Sequence, residues 1–452
     1  MSKHTQYVRK KLARRSPWQN PLVYLGILAG LAVLGVLAYQ IPAVNQRLYY
    51  RVAKVQAAIH YFFRPPEDVV FSPTEQGTLA AAAQATLTAM APTATPQPPT
   101  ATPLPTDEPT PTPTLTPTPT ITPTPIPQNV LIDGVKWQKQ GFNNCGPANL
   151  AMILTYWEHP VTQYDTEKVL KPYVKDRNVM PYEMRDYVLT QTGLGAIVRY
   201  GGDLETLKKF VAAGFPVVIE RGYMDAKEGW MGHYGLIYAY DDEKQEVEIP
   251  DTYLGKIRMS YEDMLMYWAQ FDDIYMVVYP WEREQEVMDI LGPQTDENFN
   301  LRYALEQVEK RIYTVKDREL FFAWYSRGSI LTQLQDYAGA AASYDKAFEI
   351  YEALEPKTRP WRVLWYQTGP YFAYFYTGRY YDVLSLAQKT ISLSAEPAIP
   401  ETWVWAARAS QQLGDDLNAK YYFRQALHWH PCWWVALDGL ATMGETVPSC
   451  NK

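Results

Sequence analysis

Apolar residues follow three different spacings along this chain, and each spacing predicts a different structure. Residues 22–39 run without a charge, and a helix of this length measures about 27 Å, enough to cross a hydrocarbon core. From residue 148 to 157 apolar residues recur at helical spacing, whereas 216–220 and 274–279 are short apolar runs typical of strands. From about residue 298 the helical spacing continues almost to the end. The pattern predicts a membrane helix, an α+β domain and an all-α region, in that order.

The predicted membrane helix spans residues 21–41 and follows a basic tail, residues 1–20, which has six Lys or Arg and no acid. Basic residues are fewer in 42–71, a segment predicted to extend the helix or to lie on the membrane surface. This charge bias predicts that the amino terminus is cytoplasmic and that the remaining domains lie outside the cell membrane. A cleaved signal peptide is the alternative, but the apolar run exceeds a usual signal-peptide core and no small-residue cleavage site closes it. We therefore predict a single-pass anchor that binds the chain to the membrane.

Residues 72–128 consist mainly of Thr, Pro and Ala and end in a near-regular Thr-Pro alternation. This composition cannot form a core and favours the extended polyproline conformation. We predict a disordered linker that acts as a semi-rigid stalk on the order of 100 Å long.

Residues 129–282 have the pattern of an α+β domain, because helices come first and strands afterwards. A helix begins at residue 145, and polar helical segments follow it. The later elements are predicted as strands at 196–200, 216–220, 232–240, 246–249 and 274–279, with a helix at 204–213.

The composition excludes several classes of protein. The net charge of −7 leaves no basic surplus, so nucleic acid is not an expected partner. Only three cysteines occur, which excludes a disulfide-stapled miniprotein and a cysteine-rich zinc module. We predict neither a cofactor nor a metal.

Cys145 stands where a helix is predicted to begin. Asn143 and Asn144 are favoured helix caps, and Pro147 is tolerated only in a first turn. Unpaired N–H groups and the helix dipole at this position favour a thiolate. The same N–H groups can bind an oxyanion, and Gln140 can supply a second donor from its amide. The ordinary alternative is a small buried cysteine without chemistry, so the interpretation depends on partners elsewhere.

A cysteine nucleophile needs a base, and only two histidines lie in this domain. His159 is about 20 Å from Cys145 along the predicted helix, which leaves His233. The hairpin predicted after His233 returns the chain to the same level at Asp251. Asp251 is therefore predicted to orient the imidazole.

Four other aspartates near these strands are assigned no chemistry. Asp241 and Asp242 are predicted to be turn residues. Asp272 and Asp273 are predicted to lie in a solvated loop before the last strand.

Four short motifs occur in order: Gln140, the block Asn-Asn-Cys145-Gly-Pro-Ala, Gly-His233-Tyr and Pro-Asp251-Thr-Tyr-Leu-Gly. Together they resemble the bacteriocin-processing (double-glycine leader) peptidase family and its stand-alone relatives, whose fold is papain-like. The resemblance implies Cys145 as nucleophile, His233 as general base and Asp251 as the orienting group. It implies Gln140 as oxyanion donor, with Gln138 as a second candidate. Members fused to transporters work beside a cytoplasmic ATPase, whereas no Gly-x-x-x-x-Gly-Lys loop occurs here, so export-coupled leader cleavage is not inferred.

Residues 297–445 contain helical units similar to tetratricopeptide repeats. Such repeats stack and present a groove to a peptide or protein partner, which is the expected role here. Bracing of the α+β domain is the alternative. The units are predicted at 324–350, 365–393 and 403–430, with Gly378 and Gly414 at the turns of the last two.

The carboxyl-terminal cysteines have a structural interpretation. His428, His430 and Cys432 could suggest a metal site, but side chains two positions apart on a helix diverge and no carboxylate completes the set. We predict instead that Cys432 and Cys450 form a disulfide, which an extracytoplasmic location permits. Cys145 then remains the free thiol.

These observations together predict a membrane-anchored, extracytoplasmic cysteine peptidase whose helical repeats bind a protein or peptide. Its substrate is a peptide or protein. The alternative is a catalytically inactive papain-like domain that serves with the repeats as a cell-surface binding scaffold. An amide-transferring reaction at the same residues also stays open, because the nucleophilic step is shared.

Overall fold

The computed structural model describes residues 126–450, apart from 174, 226–228 and 395, together with eight isolated positions between 24 and 44. No helix in this described part is long and apolar enough to cross a membrane. Most of the predicted span, and nearly all of residues 42–71 and 72–128, lie outside the described residues.

Helices and strands alternate irregularly in the first half of the described chain. The strands are β1 Asn129–Leu131, β2 Leu194–Arg199, β3 Val217–Asp225, β4 Gly229–Ile237, β5 Ala239–Asp241, β6 Glu246–Asp251, β7 Gly255–Ser260 and β8 Tyr275–Pro280. The helices are α1 Cys145–Tyr156, α2 Gln163–Leu170, α3 Pro181–Gln191, α4 Leu204–Ala212 and α5 Tyr261–Trp268. These elements form the α+β domain.

The strands of this domain form two antiparallel sheets. One sheet has the order β1-β5-β6-β7 and the other β2-β8-β3-β4. Helix α1 packs on β4 and is buried from Gly146 to Leu154. A helix that is apolar on all sides belongs inside a core, which explains the continuous apolar run after Cys145. The α+β prediction is confirmed at this level.

Several predicted boundaries of strands and helices differ from those in the structure. The strand that carries His233 begins at Gly229, so the histidine lies within the strand and not at its opening. The chain then leaves β4 for the other sheet, and the hairpin is formed by β5 and β6. Strand β7 and helix α5 were not predicted, because the mixed sequence between 255 and 268 has no clear period.

The second half of the chain is helical from residue 284. We call these helices the helical region, and they are α6 Glu284–Leu291, α7 Glu297–Ile312, α8 Asp317–Gln333, α9 Tyr337–Ala353, α10 Val363–Tyr366, α11 Gly369–Tyr376, α12 Tyr380–Ser392, α13 Pro400–Gln412, α14 Asp416–Trp429 and α15 Trp434–Thr442. The predicted units correspond to the pairs α8/α9, α11/α12 and α13/α14. Gly378 and Gly414 end helices with φ of 75° and 76°, a conformation that favours glycine.

The helical region packs directly against the α+β domain. Trp230 of β4 lies with ring centroids 5.2 Å from Phe322 of α8 and 6.0 Å from Tyr366 of α10. The prediction that Asp272 and Asp273 lie in a solvated loop is wrong: both are buried, and Asp273 pairs with Arg311 of α7 at 2.6 Å. Sequence reasoning missed this because the covering element is the helical region.

Candidate active site

Cys145 is the first residue of α1, as predicted, and its thiol is partly buried. The glycine that follows is closely packed, since a Cβ at Gly146 would lie 3.3 Å from Val179 Cβ and would require this neighbour to shift slightly. Asn144 occupies the N-cap position of α1, as predicted, but its side chain makes no cap hydrogen bond. Its amide instead donates to Gln163 Oε1 at 3.0 Å. The helix N–H groups near the sulfur are therefore not covered by this side chain.

His233 is the side chain that most strongly lowers the pKa of the Cys145 thiol. Burial alone would raise the pKa of Cys145, but the hydrogen bond and charge of His233, together with the Tyr234 backbone N–H, hold the pKa below its ordinary value of 9.0. For His233, burial lowers the pKa, whereas the Asp251 carboxylate and the thiolate raise it to about 9. An imidazolium and a thiolate therefore stabilise each other in this site.

Asp251 completes the line of three side chains. His233 Nε2 lies 3.0 Å from Asp251 Oδ2, which leaves Nδ1 as the ring nitrogen for the sulfur. The other oxygen, Oδ1, accepts from the backbone N–H groups of Tyr253 at 2.9 Å and Leu254 at 3.0 Å. Burial would raise the pKa of Asp251, but the charge and hydrogen bond of His233, with Arg221 and the Tyr253 N–H, lower it to about 2. The carboxylate is thus held charged.

The three predicted residues meet by a different route from the one expected. His233 lies within β4 of one sheet, and Asp251 is the last residue of β6 in the other. Because β4 and β6 pack together, the carboxylate reaches the imidazole across the two sheets. The expected hairpin return, in which both residues would share one pair of strands, is wrong.

The two glutamine candidates have different surroundings. Gln140 lies next to Asp251 in space, because its backbone N–H donates to the Thr252 carbonyl at 2.8 Å and its Oε1 accepts from Thr252 Oγ1 at 2.7 Å. Its side-chain NH₂ carries the remaining donors. Gln138 is used elsewhere: Nε2 donates to the Val161 carbonyl at 3.3 Å, and Oε1 accepts from the Gln163 N–H at 3.1 Å. The side-chain amide of Gln138 is therefore engaged with residues 161 and 163, whereas the contacts of Gln140 are with Thr252.

Sequence reasoning missed the buried residues that hold this site. Arg221 pairs across the strands with His233 and lies 2.8 Å from Asp251. Gln163 and Lys171 hold the loop before Cys145. The only signal in the sequence was a charge after an apolar strand, Val-Val-Ile-Glu-Arg221, which points to a buried ion pair but not to its partner.

Metal binding finds no support in the described part of the chain, where no group of three or more His, Cys, Asp or Glu could hold an ion. Cys432 is bonded to Cys450, as predicted, so its sulfur is not available to His428 or His430. Cys145 is the free cysteine.

Comparisons with known proteins support both resemblances. Residues 126–276 match the model of the Peptidase_C39 like family, and residues 323–354 match a tetratricopeptide repeat model. The peptidase match covers the α+β domain as far as the start of β8, and the repeat match covers most of α8 and all of α9. No curated protein matches the chain.

Three solved structures match about a third of the chain. One is described as a C39-like peptidase from Bacillus anthracis, with 18% identity over 34% of this chain and 98% of that one and a TM-score of 0.27. Another is a double glycine motif protease from an AMS/PCAT transporter in complex with its leader peptide, with 19% identity over 34% of this chain and 98% of that one and a TM-score of 0.26. A third is the peptidase domain of Streptococcus ComA, a bi-functional ABC transporter in a quorum-sensing pathway, with 15% identity over 32% of this chain and 99% of that one and a TM-score of 0.27.

Proposed function

We propose that the α+β domain is a cysteine peptidase in which Cys145 is the nucleophile, His233 the general base and acid, and Asp251 the group that orients the imidazole. The observation that carries the proposal is the position of His233, whose Nε2 lies 3.0 Å from the Asp251 carboxylate and whose charge lowers the pKa of the Cys145 thiol. The match to the Peptidase_C39 like family supports the same reaction class.

The chemistry follows from these positions. The Cys145 thiolate attacks the carbonyl carbon of a peptide bond, and the negative charge that develops on the oxygen is received by the Cys145 N–H and the Gln140 amide. His233 gives its proton to the leaving amine as the carbon–nitrogen bond breaks. It then takes a proton from water, whose oxygen attacks the thioester, and the acid product leaves with the thiolate restored. If an amine replaced water in that step, the product would be a new amide.

The helical region has two roles in this proposal. Its repeat match supports binding of a protein or peptide. Its contacts with Trp230, three residues before His233, also support bracing of the strand that carries the imidazole. The two roles are compatible, because an array of repeats can both bind a partner and brace a neighbouring domain.

We further propose that the chain is anchored in the cell membrane with these domains outside. The proposal rests on the uncharged run at 22–39 and the basic tail before it. The disulfide between Cys432 and Cys450 supports an oxidising compartment. Trypsin added to intact cells should digest the carboxyl-terminal domains, whereas their protection would contradict this location.

The catalytic proposal is tested by digestion of a peptide library with the wild-type protein and Cys145→Ala. We expect cleavage by the wild type alone, with new amino termini in the products. Ligated products would indicate amide transfer instead. No processing, together with no labelling of Cys145 by iodoacetamide at neutral pH, would leave a papain-like binding scaffold.

A further inference from the structure

A buried lysine lies beside the loop that precedes the proposed nucleophile. Lys171 follows α2 directly and is 2% exposed. Its Nζ donates to the Asn143 carbonyl at 2.9 Å and to the Phe142 carbonyl at 3.2 Å. An ammonium group is seldom buried with carbonyl oxygens as its ligands, because desolvation of the charge is costly.

The loop held by this lysine carries strain. Asn143 has φ of 51°, in the left-handed region that asparagine tolerates better than most residues. Gln163, at the start of α2, holds the same loop from its other side. Its Oε1 accepts from the Gly141 N–H at 2.6 Å, and its Nε2 donates to the Lys139 carbonyl at 2.6 Å. Lys171 differs from Gln163 in supplying a full charge.

This charge acts on the sulfur. Lys171 is one of the groups that lower the pKa of Cys145, and the thiolate in turn opposes the effect of burial, which lowers the pKa of Lys171. The Glu167 carboxylate, 4.0 Å from Nζ, favours the charged form of the ammonium. Asp176 also faces the ammonium, but burial and the charge of Glu401 raise the pKa of this carboxyl well above its ordinary value, which weakens it as a counter-charge.

The other titratable groups near the sulfur do not cancel the effect of the Lys171 charge. His233 is positive when the thiolate forms. Burial, with the charge of the thiolate, raises the pKa of Glu220 well above its ordinary range, which disfavours a second anion beside the sulfur. Burial likewise raises the pKa of the phenols of Tyr234 and Tyr366, which stay neutral. The positive charges acting on the thiolate are therefore those of His233 and Lys171.

We propose that Lys171 is a positioning residue for the cysteine chemistry: it holds the Phe142 and Asn143 carbonyls in place and keeps a fixed positive charge within electrostatic reach of the Cys145 thiolate. The inference rests on the proposed function, in which that thiolate is the nucleophile. Helix α2 then has a role beyond packing, because its two ends fix the segment between Gln140 and Cys145.

The test is the pH dependence of Cys145 alkylation by iodoacetamide, measured on the full chain between pH 4 and 9. Lys171→Met keeps the length of the side chain and removes the charge, so the alkylation rate at pH 6 should fall about tenfold, the effect of one pKa unit. Lys168→Met is the matched control, because Lys168 lies on the same helix with its side chain 75% exposed. It should leave the profile unchanged.

A second variant keeps the test decisive if Lys171→Met does not fold. Lys171→Gln removes the charge but keeps an amide donor for the Asn143 carbonyl, so it should slow alkylation at pH 6 in the same way. Circular dichroism shows that each variant compared is folded. A folded Lys171→Met or Lys171→Gln with the wild-type profile would overturn the inference. Slow wild-type labelling at pH 6 that does not depend on His233 would instead refute the proposed function, and this inference with it.

Discussion

The Arg221 guanidinium lies 2.8 Å from the Asp251 carboxylate, and both side chains are fully buried. The same carboxylate oxygen faces His233, so one anion is shared by two cationic partners. This arrangement fixes the carboxylate under the imidazole without solvent.

Asp251→Asn should destabilise the protein and slow its chemistry together. It leaves Arg221 as an uncompensated buried charge, which costs about 3–5 kcal/mol of unfolding free energy. Urea denaturation followed by circular dichroism measures the loss. Asp186→Asn is the control, since its pair with Arg185 is on the surface and 54% of the Asp186 side chain is exposed. Equal effects of the two variants would contradict the buried-pair account.

The pH dependence of turnover should have two limbs with separate causes. The acid limb follows formation of the thiolate, whose pKa lies below 9.0, and the alkaline limb follows loss of the imidazolium proton at about pH 9. We therefore expect kcat/KM to rise with pH as the thiolate forms and to fall as pH rises through about 9, because His233 then has no proton to give to the leaving amine. Measurement of kcat/KM from pH 4 to 10 checks the profile.

His233→Gln removes the imidazolium that stabilises the Cys145 thiolate. Without the imidazolium the thiol returns toward its ordinary pKa, so alkylation of Cys145 at pH 6 should slow at least about tenfold. Because Cys432 and Cys450 are bonded, labelling without reductant reports Cys145 alone. An unchanged rate would show that the thiolate is stabilised by other groups.

Substitution of Gln140 should affect catalysis, whereas substitution of Gln138 should affect stability. Gln140→Ala removes a donor from the developing oxyanion and should lower kcat about a hundredfold or more while the fold is kept. Gln138→Ala removes contacts with residues 161 and 163 and should lower the melting temperature with kcat near that of the wild type. A large loss of kcat in Gln138→Ala alone would instead identify Gln138 as the oxyanion donor.

Trp230 should stabilise the α+β domain and the helical region together. It is 2% exposed, donates its indole N–H to Gln270 Oε1 at 2.7 Å and contacts Phe322 of the helical region. Trp230→Ala should cost about 3–5 kcal/mol, with the α+β domain and helical region unfolding in one transition. Trp434→Ala is the control, because Trp434 is 71% exposed and should contribute little. Two separate transitions in the wild type would argue against a shared interface.

The candidate site shows which residues can be predicted from local sequence patterns. The Cys-Gly-Pro block at a helix start and the small number of histidines identify Cys145 and His233 from sequence, because both signals are local or compositional. Asp251 was also identified, but on a hairpin argument that the two-sheet arrangement replaces. The choice between Gln138 and Gln140 stayed open, since side-chain direction before a helix depends on what packs around the loop.

The sequence by itself determined the order of the α+β domain and the repeats, the position of the thiol at a helix start and the pairing of Cys432 with Cys450, because apolar period, capping chemistry and cysteine number are readable along the chain. Only the tertiary structure decided that Arg221 meets Asp251 30 positions away and that Lys171 reaches Asn143 28 positions back. It also decided that Asp272 and Asp273 are covered by the helical region. The physical reason is that a buried charge is stable only with its partner, and the partner is brought to it by packing between distant segments.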